Sequence, residues 1–232
     1  MQDKSSAIIA AAGVSRRMEG HDKLWTLLAG RIILARTIDV FEASPIIDDI
    51  VLVLNAERID DATTLCQQEG WQKISGIVAG GLRRQDSVRI GLETLANIDP
   101  QTQWVMIHDG ARPLVTPDIL EAGLNAAQAY QAAIAAIPVK DTIKQVQQGW
   151  IYNTLDRTQL WAIQTPQVFS FDLINHAYHT SLIQQDFTDD AALLEQLGQP
   201  VAIFPGSYSN IKITTQEDLL IAEALIKGLA VI

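Results

Sequence analysis

Seven short, near-continuous apolar runs separated by segments of helical period constrain this chain more than any other feature. The runs fall at 7–11, 50–54, 74–78, 104–107, 133–137, 167–169 and 201–204. Between them, apolar residues recur at helical spacing over 32–42, 60–69, 84–96, 117–130, 172–181 and 189–196. A strand that is apolar on both faces needs cover on both, and strands that alternate with helices are joined by crossovers. The expected fold is therefore α/β: a mostly parallel sheet covered by helices on both faces. A last helix follows Thr214 and Glu217, which have the spacing of a capping box. No repeat, low-complexity tract or polar linker divides residues 1–232, so one domain is expected.

One segment breaks the alternation. Residues 139–146 and 150–155 read as two extended strands around Gln147-Gln148-Gly149. A two-stranded ribbon is marginal in water by itself. An arm over about 138–157 that packs on a second copy of the chain is the simplest expectation, with a hairpin folded back on its own domain as the alternative.

Composition narrows the function classes. The chain carries 27 acidic and 17 basic residues, a net charge of −10, which argues against a nucleic-acid or anionic-membrane surface. Its 48% hydrophobic content supports a full core. Cys66 is the one cysteine, which rules out an internal disulfide and suits a reducing, cytoplasmic setting; a buried structural thiol is expected. No apolar run approaches the ~18 residues of a membrane helix. The apolar stretch before Gly13 reads as a core strand and not as a leader, because it is short and Arg16-Arg17 follow at once.

Open parallel sheets bind ligands beyond the C-terminal ends of their strands. Three such ends are loaded with polar motifs. The first strand runs into Ala11-Ala12-Gly13-Val14-Ser15-Arg16-Arg17-Met18, with Lys23 close behind. Small residues let backbone N–H groups approach a ligand, and the cations suit a polyphosphate. The third strand runs into Gly80-Gly81-Leu82-Arg83-Arg84-Gln85-Asp86-Ser87, where the glycine pair points to close backbone approach by a ligand. Ser87 has two readings, a cap for backbone N–H groups or a reader of a base edge. The fourth strand ends at His108-Asp109-Gly110-Ala111-Arg112-Pro113. Asp109 beside cations suits Mg²⁺, a hard ion shared with phosphates, or else a surface pair with Arg112. His108 has no visible partner and reads as structural. Neither the Gly-x-Gly-x-x-Gly fingerprint nor a P-loop is present.

Together these motifs resemble the 2-C-methyl-D-erythritol 4-phosphate cytidylyltransferases of the non-mevalonate isoprenoid pathway. The resemblance runs nearly end to end. It continues through Asp141-Thr142-Ile143-Lys144, Asp156-Arg157, Leu160-Trp161, Gln164-Thr165-Pro166-Gln167, Thr188-Asp189 and Asn210-Ile211-Lys212. It implies a Rossmann-like sheet of nucleotidyltransferase type with a protruding β-arm. It further implies that Ala11, Ala12, Gly81 and Ser87 contact cytosine, that Ala111 neighbours the ribose, and that Gly13, Val14 and Ser15 offer backbone to the triphosphate. Arg17 and Lys23 would neutralise that triphosphate, and Asp109 would bind Mg²⁺ and take part in binding the second substrate. Arg112, Thr142, Arg157, Thr165, Thr188 and Lys212 would surround the methylerythritol phosphate, with Arg17, Lys23, Arg157 and Lys212 as the catalytic group. The resemblance also implies a homodimer whose arm reaches the partner's site. Ser15 for glycine, Asp22 for proline and Leu82 for aspartate depart from the family pattern.

The implied reaction joins a phosphate to the α-phosphorus of CTP and expels pyrophosphate. Such a nucleophile is already ionised near pH 7, so a site with cations and no His–carboxylate base pair suffices. The rivals are a ribitol 5-phosphate cytidylyltransferase of the same fold and a catalytically silent nucleotide-binding protein.

Overall fold

A computed structural model describes residues 3–13 and 22–229. Eleven strands and seven α-helices follow one another along these residues. The first strand, β1 (Ser5–Ala11), is followed by a minor hairpin, β2 (Leu27–Leu28) and β3 (Arg31–Ile32), and then by α1 (Ile33–Ala43). Next come β4 (Asp49–Leu54), α2 (Ile59–Glu69), β5 (Ile74–Ala79), α3 (Arg84–Ile98), β6 (Trp104–Asp109) and α4 (Pro117–Tyr130). The second half contains β7 (Ala132–Pro138), the arm strands β8 (Lys144–Gln147) and β9 (Trp150–Thr154), and β10 (Trp161–Ser170). It closes with α5 (Phe171–Tyr178), α6 (Asp190–Gln196), β11 (Ala202–Pro205) and α7 (Gln216–Leu229).

Seven strands form one sheet in the order β11-β7-β10-β6-β1-β4-β5. Strand β1 pairs in parallel with β4 on one side and β6 on the other, so the chain reverses direction across the sheet at β1. The crevice at that reversal is where an open α/β sheet holds its ligand. Alternation along the strands feeds two cores. Ala7, Ile9, Leu52 and Met106 face α1 and α4 through Leu34, Ile38, Phe41 and Leu120. Ile8, Val51, Val53 and Ile107 face α3 and α5 through Val88, Leu92 and Ile174. Both faces are covered, as the unbroken apolar runs require.

The structure corrects several of these expectations. The short run at 167–169 is the middle of β10, which spans Trp161–Ser170 and runs antiparallel to both β6 and β7. Its pairing with β7 shifts register between Ile163 and Gln167, around a cis Thr165-Pro166 bond. Proline and polar residues at that irregularity hide the strand from a periodicity reading. The fifth helix stops at Tyr178, three residues early, and Ser181–Gln184 forms a separate 3₁₀ turn. The last helix is capped one residue later than expected: the Thr215 hydroxyl accepts the Asp218 N–H, and Asp218 accepts the N–H groups of Thr214 and Thr215.

Strands β8 and β9 form a separate ribbon whose pairing ends at Gln147 and Trp150. Gln148 and Gly149 between them have φ of 51° and 85°, the left-handed pair that a two-residue type I′ hairpin requires. Both ribbon strands are exposed throughout, including Val146, Trp150, Ile151 and Tyr152. Residues 139–143, expected in the first arm strand, lie outside it. Cys66 is half-buried against the core, and burial pushes its thiol up to about 11.

Candidate active site

Two cavities open side by side beyond the strand ends. The first, of about 570 Å³, is lined by Ala11, Ala12 and Gly13 after β1, by Gly80, Gly81 and Ser87 at the β5–α3 turn, and by Lys23, Ala111 and Lys212. The second, of about 260 Å³, is lined by Arg112, Gln164, Thr165, Thr188 and Asp189. Arg84, Asp109 and Lys212 line both.

Local folding accounts for these positions. A Cβ on Gly80 would overlap Ala12 Cβ and Ser87 Oγ, and one on Gly81 would overlap Asp86. The glycine pair therefore lets the β5–α3 turn close against the β1 turn, which corrects the reading of the pair as a place for ligand approach alone. Ser87 accepts the Gly81 N–H at 3.1 Å and donates to Arg83 O at 3.3 Å, so its hydroxyl shapes the loop. Asp86 accepts the Arg83 N–H, which is the cap of α3. Lys23 opens a 3₁₀ turn capped by Asp22, whose carboxylate also pairs with Arg58 at 3.1 Å. Leu82, in contrast, is fully exposed at the cavity rim.

Asp109 is the electrostatic centre. Its carboxylate lies 2.7 Å from Lys212 Nζ, 3.2 Å from Arg84 Nε and 3.7 Å from Arg112 Nε. Burial alone would raise its pKa, but Arg84, Lys212 and Arg112 outweigh that and hold the carboxyl well below the usual range. The alternative of an Asp109–Arg112 surface pair is thus overturned, because Asp109 is buried among three cations. The Lys212 loop is fixed by Asn210, which donates to Thr165 O and accepts from Arg112 Nη1.

His108 is fully buried and takes part in a chain of hydrogen bonds. Its Nε2 faces Arg112 O at 3.2 Å, an acceptor, so Nε2 carries the proton. Nδ1 then accepts from Thr165 Oγ1 at 3.1 Å, and that oxygen accepts the Asp109 N–H at 3.1 Å. The chain needs a neutral ring, and burial lowers the His108 pKa to about 4. Between that value and about 6.5 the unfolded chain binds a proton that the folded protein refuses. Stability should therefore fall by about 3 kcal/mol as pH drops from 6.5 to 4, with the pKa of about 4 setting the lower edge. Urea melts at pH 7 and 5 measure the slope, which His108→Asn should flatten.

The structure thus gathers Ala11, Ala12, Gly13, Lys23, Gly81, Ser87, Asp109, Ala111, Arg112, Thr165, Thr188 and Lys212 around two joined cavities. It does not bring in Thr142 or Arg157. Both are exposed on the arm side, with Arg157 Nη1 donating to Lys140 O at 2.9 Å. Val14, Ser15 and Arg17 lie outside the described residues. The motifs give Gln164 and Asp190 no role and mark Arg84 only as one of several cations suited to an anionic pocket, although Arg84 and Gln164 stand inside those motifs. Their signal was position: Arg84 opens the helix after a loaded loop. Among the described residues, no three His, Cys, Asp or Glu side chains gather as a metal site.

A crevice at the switch point of a mostly parallel sheet, lined by both small residues and cations, defines an α/β protein of nucleotidyltransferase type. The family model for 2-C-methyl-D-erythritol 4-phosphate cytidylyltransferase matches residues 5–228. A curated protein of that name from Dehalococcoides mccartyi (strain CBDB1) is 50% identical over 228 residues, covering 98% of each chain. One from Geobacter metallireducens is 43% identical, covering 95% of this chain and 97% of its own. The crystal structure of 4-diphosphocytidyl-2C-methyl-D-erythritol synthase from Anaerococcus prevotii superposes with a TM-score of 0.85 at 33% identity, covering 97% of this chain and 96% of that one. The chain belongs to the 2-C-methyl-D-erythritol 4-phosphate cytidylyltransferase family.

Proposed function

We infer that this protein transfers the cytidylyl group of CTP to 2-C-methyl-D-erythritol 4-phosphate, giving 4-diphosphocytidyl-2-C-methyl-D-erythritol and pyrophosphate, a step of non-mevalonate isoprenoid precursor synthesis. Beside the family match, one observation carries the reading: two cavities share a wall of Arg84, Asp109 and Lys212. CTP occupies the larger cavity, its base against Ala11, Ala12, Gly81 and Ser87, its ribose by Ala111 and its triphosphate by Gly13 and Lys23, with Val14, Ser15 and Arg17 assigned to the triphosphate by family likeness. The alcohol phosphate occupies the smaller one, against Arg112, Thr165, Thr188 and Lys212. Its phosphate is already ionised, and His108 is spent on structural hydrogen bonds, so no general base is required. The obstacle is the approach of two anions. Lys23 and Arg17 offset charge on the triphosphate while Lys212 and Arg112 offset it on the attacking phosphate.

Magnesium fits the donor set in one form. Asp109 supplies a buried, ionised carboxylate facing both cavities, and a hard cation held by one carboxylate completes its shell with phosphate oxygens and water. When bound, Mg²⁺ would neutralise and orient the triphosphate. Asp109 is its protein ligand in this reading.

The enzyme works as a homodimer in the cytoplasm. The exposed apolar ribbon and the remoteness of Thr142 and Arg157 from both cavities support a partner that receives the arm. Pyrophosphate release with CTP, run against methylerythritol phosphate and ribitol phosphate side by side, tests the activity and its nearest rival. Arg157→Ala should raise KM for the alcohol phosphate about tenfold, with kcat for CTP turnover less affected. Mixing Lys23→Ala and Arg157→Ala subunits should then restore activity, because each heterodimer regains one intact site. Verified heterodimers with no gain would rule out a shared site.

A further inference from the structure

Two acids are tied together by one arginine at the wall between the cavities. Arg84, the first residue of α3, places Nε 3.2 Å from Asp109 Oδ1 and Nη1 2.8 Å from Asp190 Oδ2. Asp190 opens α6, and its side chain is fully buried. Its other oxygen accepts the Tyr178 hydroxyl at 2.5 Å, and its backbone N–H donates to Gln167 Oε1 at 3.1 Å. Arg84 Nη2 and Asp190 Oδ2 are both buried with no hydrogen-bond partner, so the Arg84–Asp190 contact is an ion pair and not an aligned hydrogen bond. The guanidinium is therefore held by two carboxylates through Nε and Nη1, and Nη2 is the donor left without a protein partner.

A buried carboxylate is costly unless paired, and a site meant for anions gains nothing from a second one through attraction. Asp190 neutralises Arg84, which leaves Lys212 and Arg112 as the cations beside Asp109 available to phosphate. What Arg84 retains is direction: one nitrogen on Asp109, the other on a fixed anchor.

We propose that Asp190 and Tyr178 brace Arg84, and that Arg84 is a positioning residue that holds the Asp109 carboxylate against both cavities. The inference rests on the cytidylyl-transfer reading, because it assigns Asp109 a working orientation in that reaction. Lysine cannot replace Arg84 here, since a single ammonium lacks the fork that spans two acids. Partners that orient a functional carboxylate are worth about 10- to 100-fold.

The test uses full-length protein carrying Asp190→Asn, Tyr178→Phe or Arg84→Lys. It measures kcat, KM for each substrate, calorimetric binding of CTP with Mg²⁺, and melting temperature. Asp190→Asn and Arg84→Lys should lower kcat about tenfold or more. KM for the alcohol phosphate should stay level or fall in Asp190→Asn, because one negative charge has left the wall. Tyr178→Phe, which removes a hydroxyl alone, should shift kcat about two- to threefold the same way and serves if Asp190→Asn does not fold. In an Asp109→Asn background, adding Asp190→Asn (or Tyr178→Phe) should change the residual rate less than twofold. Equal losses in both backgrounds, or wild-type kcat in Asp190→Asn and Arg84→Lys, would overturn the brace. Wild-type protein that binds CTP but releases no pyrophosphate would instead sink the activity itself.

Discussion

Asp109→Asn is expected to lower kcat about 10³-fold while the protein remains folded at neutral pH. Three cations converge on this carboxylate, and an amide supplies no charge to balance them. Its NH₂ group would also face donors on at least one side, so Lys212, Arg84 and Arg112 would separate and both cavities would lose their common wall. Removing one partner of a buried ionic cluster costs about 3–5 kcal/mol, and the low end applies because the Lys212 side chain is 40% exposed. The pH dependence has a definite sign. The folded carboxyl is held below its unfolded value, so its stabilisation is complete above about pH 4 and is lost as pH falls toward the depressed value. Wild-type and variant stabilities should therefore differ at pH 7 and converge in acid. Denaturant melts across that range and steady-state pyrophosphate release measure both effects. A variant within tenfold of wild-type kcat would remove Asp109 from the reaction.

What the sequence revealed and what it hid divide along physical lines. Strands such as β1, β4 and β6 were legible because burial on both faces forces unbroken apolar runs, and their loaded ends followed from the topology of parallel sheets. The direction of β10 was not legible. Apolar content says nothing about whether a strand runs with or against its neighbours, and Pro166 with Gln164 and Thr165 broke the pattern besides. The capping box of α7 slipped by one residue because Thr214 with Glu217 and Thr215 with Asp218 satisfy the same spacing, and backbone geometry alone chooses. The Arg84–Asp190 pair links residues on opposite halves of the chain, beyond the reach of any local pattern. Thr142 and Arg157 carry a different lesson: likeness to a family assigned them a site that one copy of this chain does not form.

Lys23→Ala should lower kcat roughly 10²–10³-fold, with KM for CTP changing far less. The mount explains the split. Lys23 begins a short turn whose next residue, Leu24, is buried in the core, and Asp22 caps that turn while pairing with Arg58. Arg58 in turn lies over the Trp25 ring, 5.4 Å from its centroid. The backbone that carries Lys23 is thus held by groups the substitution leaves untouched. Lys23 lines the larger cavity together with Ala11, Ala12 and Gly13, where small residues leave backbone donors open to a ligand. In the cytidylyl-transfer reading those donors would serve bound CTP and the reacting state alike. A cation beside the triphosphate gains most as charge grows on the departing pyrophosphate, and an interaction that strengthens in the transition state appears in kcat. Lys23→Arg separates charge from shape: the broader guanidinium should recover part of the rate. Should Lys23→Ala raise KM for CTP and leave kcat intact, Lys23 would be a ground-state contact, and the stabilisation of the departing pyrophosphate would fall to Arg17.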